Sequence, residues 1–179
     1  MRWKRLKKLI LVTGAQGVGK STLCRELFKS INGCAWLDSD WCWMINPWLS
    51  KTPEQKKYVE GTFPRILRGY LENEQIHTVL FSWVMVSTWM FDLVTEPLSD
   101  LMFDTLKIAI ICDKEQHIER MKLDGRRSEQ ANTPDATDKY LKLGANIIDT
   151  TSLSINEAVR IALNIIDKEG NPVVNEYVL

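Results

Sequence analysis

The sequence lacks the cysteine and histidine patterns that mark metal centres and disulfide-stapled proteins. It has two histidines and four cysteines in 179 residues, and no two cysteines form a C-x-x-C pair. Structural zinc needs closely spaced ligands, and a chain of this size does not need disulfides in order to fold. We therefore expect free, buried thiols in a reducing cytoplasm at Cys24, Cys34, Cys42 and Cys112.

The chain also lacks an excess of charge of either sign and any long apolar segment. Its 23 basic residues balance 23 acidic ones, so no overall positive field attracts nucleic acid or an anionic membrane. The longest apolar stretch, residues 79–91, is interrupted by polar residues and is too short to span a bilayer. The basic residues 2–8, interpreted as a solvated lead-in, precede an apolar run too short for a signal peptide. We therefore expect a cytoplasmic protein, by default rather than from a positive signal, that is a monomer or a homodimer and binds neither a nucleic-acid polymer nor a membrane.

Short apolar runs alternate with amphipathic segments along the chain. Apolar residues without alternation indicate strands that are buried on both faces. Five runs are of this kind: residues 9–13, 34–37, 77–83, 106–112 and 146–149. Helices are predicted between them, and Gly61 and Pro64 are expected to divide the one that begins after Thr52. This order predicts an α/β fold, a three-layer sandwich with a central five-stranded parallel sheet, in a single domain over residues 1–179.

The most specific motif is Gly14-Ala-Gln-Gly-Val-Gly-Lys20-Ser21, which matches G-x-x-x-x-G-K-[ST] between a predicted strand and a predicted helix. Glycines let successive amides point inward as an anion-binding nest, and the helix N-terminus adds its positive dipole end. Lys20 can reach the β- and γ-phosphates, and the Ser21 hydroxyl can bind Mg²⁺. The motif therefore predicts ATP binding through these residues: Gly14, Ala15, Gln16, Gly17, Val18, Gly19, Lys20, Ser21 and Thr22.

With this motif the chain resembles the small P-loop kinases, the group of adenylate-kinase-like, shikimate-kinase-like and gluconate-kinase-like enzymes. The resemblance covers residues 9–166 and depends on four pieces in order. These are the P-loop, Asp38-Ser-Asp40 after the second strand, Arg126-Arg127 in a polar segment, and Ile148-Asp-Thr-Thr-Ser152 after the fifth strand. The resemblance implies an ATP- and Mg²⁺-dependent phosphotransferase.

Asp38 and Asp40 are the candidate catalytic carboxylates. In an extended segment their side chains point the same way, towards ligands at the carboxyl ends of the strands. Resemblance to shikimate-kinase-like enzymes implies that Asp38 serves Mg²⁺ and that Asp40 addresses the acceptor, whose hydroxyl proton a carboxylate can accept. The alternative is that one or both only end the strand or cap a turn.

A polar, aperiodic segment at residues 124–136 is the expected lid. The resemblance implies that Arg126 closes over the phosphates and stabilises the charge of the transferred group, with Arg127 and Arg120 as substitutes. Arginines that merely face solvent are the alternative. After the fifth strand, the resemblance places Thr150 and Ser152 beside the adenine ring.

The sequence departs from the family at the third strand, which ends in Ser82-Trp83 rather than in an acidic residue or a glycine-rich turn. Metal ligation is therefore expected of Ser21 and Asp38. Asp113 closes the fourth strand and is interpreted as a helix cap, because Gln116 follows three residues later.

The acceptor side is rich in tryptophan. Trp41, Trp43 and Trp48 follow Asp40, and Trp83 and Trp89 lie beyond the third strand. They either pack in the core or wall a stacking pocket. A nucleoside or nucleotide is the leading acceptor, followed by a metabolite or a drug-like alcohol. Arg65 and Arg68 either hold an anionic acceptor or face solvent.

Two other functional classes bind nucleotides through the same loop. A GTPase needs a guanine-reading N-K-x-D, and no such tetrapeptide occurs. A stand-alone P-loop ATPase or a nucleotide-binding regulatory module stays open as the alternative, with Asp113 as its metal-binding acid.

Overall fold

A computed structural model of the protein describes residues 6–46, 52–125 and 135–168. Within these ranges the strands are β1 Lys7–Gly14, β2 Cys34–Asp38, β3 Thr78–Ser82, β4 Phe103–Ile111 and β5 Asn146–Asp149. The helices are α1 Lys20–Ser30, α2 Pro53–Glu72, α3 Thr88–Thr95, α4 Lys114–Leu123, α5 Asp135–Leu141 and α6 Ile155–Lys168. Two short 3-10 helices cover Ser39–Trp43 and Glu96–Leu98.

The strands form one parallel sheet in the order β2-β3-β1-β4-β5. The central strand β1 is buried from Lys8 to Gly14, and its residues Leu9, Ile10, Leu11 and Val12 have no exposed surface. Helices cover both faces of a parallel sheet because its strands are apolar on both sides. The α/β fold predicted from the sequence is therefore confirmed.

Helix α2 differs from its prediction. It is continuous over 20 residues and contains Pro64, so the prediction of two helices was wrong. Proline removes one intrahelical hydrogen bond, but the helix buries an apolar face that includes Val59, Phe63 and Leu67. Packing of that face against the core outweighs the local preference.

The basic lead-in also differs, because Lys8 is buried in β1. Its ammonium group donates a hydrogen bond of 2.7 Å to the carbonyl of Ile166 in the last turn of α6. The last carbonyls of a helix lack intrahelical partners, and a lysine can supply one. Lys7 reaches the carbonyl of Asn73 in the same way. The prediction that the whole cluster is solvated was wrong for Lys8; residues 2–5 lie outside the described residues.

The four cysteines are free thiols, of which Cys24 and Cys112 are buried and Cys34 and Cys42 partly buried. Burial raises the pKa of the Cys34 thiol to about 12. Across the described part of the chain, no group of three or more His, Cys, Asp or Glu side chains is arranged to hold a metal ion. None of the helices described here combines the length and apolar character that a membrane crossing requires.

Candidate functional site

The P-loop connects the end of β1 to the start of α1, and three of its glycines have left-handed backbone angles. The φ values are +148° at Gly14, +80° at Gly17 and +107° at Gly19. A β-carbon at Gly14 would lie 2.5 Å from the carbonyl oxygen of Ile110 in β4, and one at Gly17 would strike the sulfur of Met121 in α4. Glycine is required at these positions both for the backbone angles and for the close approach of neighbouring elements.

Helix α1 begins with amides that have no acceptor earlier in the helix. Its first intrahelical bond is donated by Leu23 to the carbonyl of Gly19, at 3.0 Å. The amides of Lys20, Ser21 and Thr22 therefore point out of the helix N-terminus, where an anion can accept their hydrogen bonds. The ammonium group of Lys20 lies against the same loop, 3.0 Å from the carbonyl oxygen of Gly14 and 2.9 Å from that of Ala15.

Asp38 lies at the end of β2 and faces Ser21. The Ser21 hydroxyl donates to Asp38 Oδ2 at 2.7 Å, and the carboxylate is almost fully buried, with 7% of the residue exposed. Because the Ser21 proton is directed at the carboxylate, the lone pairs of its oxygen face elsewhere and can bind a cation. A hydroxyl and a carboxylate are hard oxygen donors, and Mg²⁺ takes one or two of these together with phosphate oxygens. The donor set present therefore fits Mg²⁺.

Ser82 and Trp36 complete this arrangement, and the sequence reasoning did not find it. Ser82 ends β3 directly beside Asp38, and its hydroxyl donates to Asp38 Oδ2 at 3.0 Å. The Trp36 indole N–H donates to the Ser82 oxygen at 3.0 Å. An indole N–H can only donate, so the single proton of Ser82 goes to Asp38. The signal in the sequence is that Asp38 and Ser82 each lie at the end of a predicted strand. Ser82 stands where related enzymes carry an acidic residue, and for that reason no role was predicted for it.

Asp40 is placed differently from the expectation. The chain enters the 3-10 helix Ser39–Trp43 directly after β2, and Asp38 caps it by accepting the Asp40 amide at 3.1 Å. The prediction of an extended segment with parallel side chains was therefore wrong, because a tight turn replaces the strand. Asp38 is buried, whereas Asp40 is exposed one turn further on. The turn thus gives the two carboxylates different environments.

The aromatic residues divide into two groups. Trp41 is 49% exposed, and its ring centroid lies 4.9 Å from that of Trp36. Trp83 instead is partly buried and packs against the core, with its ring centroid 5.1 Å from that of Phe63. Trp89 is exposed at the start of α3, and Trp48 lies outside the described residues. Trp41 is therefore an accessible aromatic surface beside Asp40, whereas Trp83 is partly buried against the core.

Arg68 belongs to an ion pair. Its guanidinium donates to both carboxylate oxygens of Asp100, at 2.8 and 2.6 Å, and to the carbonyl of Pro97 at 2.8 Å. Hydrogen bonding to Arg68 lowers the pKa of Asp100. These hydrogen bonds connect α2 to the turn after α3. They favour a structural role for Arg68 over the binding of an anionic acceptor. Arg65 is exposed.

Helix α4 lies against the outer side of the P-loop. Arg120 donates to the carbonyl of Val18 at 3.0 Å, and to the hydroxyl and the carbonyl of Thr150 at 2.9 and 2.8 Å. Asp113 caps α4 by accepting the amide of Gln116 at 2.7 Å, which confirms the helix-cap interpretation. Asp38, and not Asp113, is the carboxylate hydrogen-bonded to the P-loop serine.

The remaining predicted nucleotide contacts stay predictions. Thr150 is buried, and its hydroxyl donates to the carbonyl of Ile111 at 3.1 Å while accepting from Arg120. Ser152 is exposed in the loop between β5 and α6. Arg126 and Arg127 lie outside the described residues, with most of the expected lid.

Comparison with known proteins finds a match to one family model and to many solved structures of similar fold. The sequence model of a family described as "AAA domain" matches residues 10–139. A search of curated proteins finds no match. Solved structures match over nearly the whole chain, and all those described here are similar in fold at low sequence identity.

A tunicamycin resistance protein from Deinococcus radiodurans is 17% identical, with a TM-score of 0.64 over 94% of this chain and 98% of its own. Shikimate kinase from Acinetobacter baumannii, solved with shikimate, is 17% identical, with a TM-score of 0.58 over 94% and 98%. APS kinase from Mycobacterium tuberculosis, solved with AMPPNP and APS, is 13% identical, with a TM-score of 0.61 over 90% and 98%.

Proposed function

Because the chain belongs to the AAA domain family and has the fold of the P-loop kinases, we propose that it is an ATP-dependent phosphotransferase acting on a small acceptor. The observation that carries the proposal is the 2.7 Å hydrogen bond between Ser21, in the P-loop, and the buried carboxylate of Asp38. It joins a phosphate-binding helix N-terminus to the oxygen ligands that Mg²⁺ prefers.

Each residue then has one task. The amides of residues 14–22 and the ammonium group of Lys20 hold the triphosphate, and Ser21 and Asp38 would hold Mg²⁺. When bound, Mg²⁺ supplies positive charge to the phosphate oxygens. The acceptor oxygen forms a bond to the γ-phosphorus while the bond to the β–γ bridging oxygen breaks, and ADP leaves. Asp40 accepts the proton of the acceptor hydroxyl.

Arg126 is proposed to close from the lid and to stabilise the transferred group, as the family resemblance implies. The need is general, because phosphoryl transfer is catalysed mainly by positioning and by charge stabilisation. Arg120 is engaged with Val18 and Thr150, which supports giving this role to an arginine further along the chain. Thr150 and Ser152 are proposed to lie beside the adenine.

A nucleoside or nucleotide is the proposed acceptor, and the exposed face of Trp41 supports it. The residue directly follows Asp40, and its ring is held by Trp36 at a centroid distance of 4.9 Å. A base stacks well on such a surface. A metabolite or a drug-like alcohol is the second acceptor class, since the similar folds include shikimate kinase and a tunicamycin resistance protein. A cytoplasmic location and a monomeric or homodimeric state stay predictions.

The direct test measures ADP release from ATP and Mg²⁺ over a panel of nucleosides, nucleoside monophosphates, sugar acids and aromatic alcohols. We expect one class to accelerate ADP release, with the phosphorylated product visible by mass spectrometry. The Lys20→Ala variant should abolish the signal, while Lys29→Ala, at an exposed lysine late in α1, should not.

ATP binding without acceleration by any acceptor class would contradict the phosphotransferase proposal. Acceptor-independent hydrolysis that survives Asp38→Asn but fails with Asp113→Asn would favour the stand-alone ATPase instead. The contacts of Asp113 in the helix cap argue against that outcome.

A further inference from the structure

The outer side of the P-loop depends on a buried histidine that the proposed mechanism does not use. His117, on α4, is 6% exposed, and its Nε2 lies 2.7 Å from the carbonyl oxygen of Gln16. In a nest the amides point inward, so the carbonyls of the same residues point outward. An outward carbonyl that a neighbouring helix covers needs a donor, because an unpartnered buried carbonyl is costly.

Two neighbours on the same face of α4 cover the next two residues of the loop. The side chain of Met121 fills the place where a side chain at Gly17 would stand, and Arg120 donates to the carbonyl of Val18 at 3.0 Å. Positions i, i+3 and i+4 share one face of a helix. Three consecutive loop residues are therefore backed by one helix face, and His117 supplies the donor at the first of them.

The direction of this hydrogen bond is determined by chemistry. A backbone carbonyl only accepts, so Nε2 of His117 must carry the proton. The neutral Nε2–H form and the imidazolium both provide it. His117 can therefore donate this hydrogen bond in either form.

We propose that His117 is a positioning residue for nucleotide binding: it holds the Gln16 carbonyl outward and so keeps the P-loop amides directed at the phosphates. The proposal rests on phosphate binding by the P-loop, as in the proposed function, and adds a residue that lies 101 positions away in the sequence. His117 does not touch the nucleotide in this account.

The test compares two substitutions of similar length, His117→Gln and His117→Met, of which only glutamine keeps an N–H donor. Dissociation constants for ATP and ADP are measured by calorimetry, at a temperature where circular dichroism shows each variant folded. We expect His117→Met to weaken both nucleotides about ten-fold, the effect of losing one buried hydrogen bond, and His117→Gln to stay within about three-fold. His77→Met, at the exposed histidine before β3, is the matched control and should leave both constants unchanged.

Rescue by glutamine separates positioning from packing, because a role in packing alone would make the two variants equal. In turnover assays His117→Met should raise the KM for ATP and leave kcat nearly unchanged, since the side chains proposed to act on the phosphates are not altered. If His117→Met does not fold, His117→Asn replaces it, with the same rise expected because its amide is too short to reach Gln16.

A folded His117→Met or His117→Asn protein with wild-type affinity for both nucleotides would overturn the inference. Failure of the wild-type protein to bind ATP would instead overturn the proposed function, and this inference with it. The two failures are distinguished by the wild-type titration alone.

Discussion

The proposed phosphate side and the proposed acceptor side of the candidate site are built in different ways. On the phosphate side, backbone amides and glycines form the binding surface, and α4 covers the loop from behind. On the acceptor side, the 3-10 helix Ser39–Trp43 presents exposed side chains, with Trp41 49% and the following Met44 72% exposed. A surface made of backbone amides keeps its chemistry when side chains are substituted. A surface made of exposed side chains changes its chemistry with each substitution.

The boundary between the two sides is Asp38. Its carboxylate accepts a hydrogen bond from the Ser21 hydroxyl on the phosphate side and another from the Asp40 amide on the acceptor side. Asp38 therefore belongs to both regions, and its burial contrasts with the exposure of Asp40.

The largest expected effect is on the phosphate side, at Lys20. Replacing Lys20 with alanine removes the side-chain charge directed at the phosphates, and we expect kcat/KM for ATP to fall about 1000-fold. Steady-state kinetics and ATP titration measure the change, with Lys29→Ala as the control. Unchanged nucleotide affinity in Lys20→Ala would refute the assignment of the loop as the phosphate site.

The second effect tests the boundary. Asp38→Asn removes the negative charge beside Ser21, and we expect an about 100-fold loss of kcat, with a higher Mg²⁺ concentration needed for half-activity. Asp113→Asn keeps a good helix cap and should stay within about two-fold of the wild type. Activity is measured over a Mg²⁺ titration for both variants. A larger loss of activity in Asp113→Asn than in Asp38→Asn would instead assign the metal site to Asp113, after β4.

The third effect is confined to the acceptor side. Trp41→Ala removes the exposed stacking surface, and we expect KM for a base-containing acceptor to rise about ten-fold while the Kd for ATP is unchanged. Trp89→Ala serves as the control, because Trp89 is also an exposed tryptophan among the described residues. The same acceptor KM in Trp41→Ala and Trp89→Ala would show that the acceptor does not stack on Trp41.

The smallest effect concerns the Arg68–Asp100 pair, which lies outside both regions. Asp100→Asn should lower the Tm at pH 7 by about 1–2 °C, as expected of an exposed ion pair, and leave the acceptor KM unchanged. Because Arg68 lowers the pKa of Asp100, the pair stabilises the fold above the usual carboxyl pKa. That stability is lost as the pH falls through the lowered pKa.

The difference in Tm between Asp100→Asn and the wild type should therefore vanish in acid. Thermal unfolding from about pH 7 down to about pH 2 follows this change, with Asp104→Asn as a control at an exposed carboxylate of β4. A difference that grows in acid would contradict the sign. A changed acceptor KM would return Arg68 to the acceptor site.

Much of the phosphate side could be predicted from the sequence, whereas the acceptor side was predicted only as a set of alternatives. Gly14, Gly17 and Gly19 mark backbone angles that few residues adopt, so their spacing indicates a structure directly. Trp41 and Trp83 are the same amino acid, yet Trp41 is exposed and Trp83 is partly buried against the core. Nothing local in the sequence distinguishes them, because burial depends on which element packs above each ring.

The sequence by itself determined the parallel sheet, the P-loop and the helix cap at Asp113. These features depend on backbone conformation and on neighbours a few residues away, which a local pattern records. Tertiary structure alone decided that α2 runs through Pro64, that Ser82 and Trp36 support Asp38, and that His117 meets Gln16. The physical reason is that these outcomes depend on contacts between distant segments, whose energy exists only after the chain has packed.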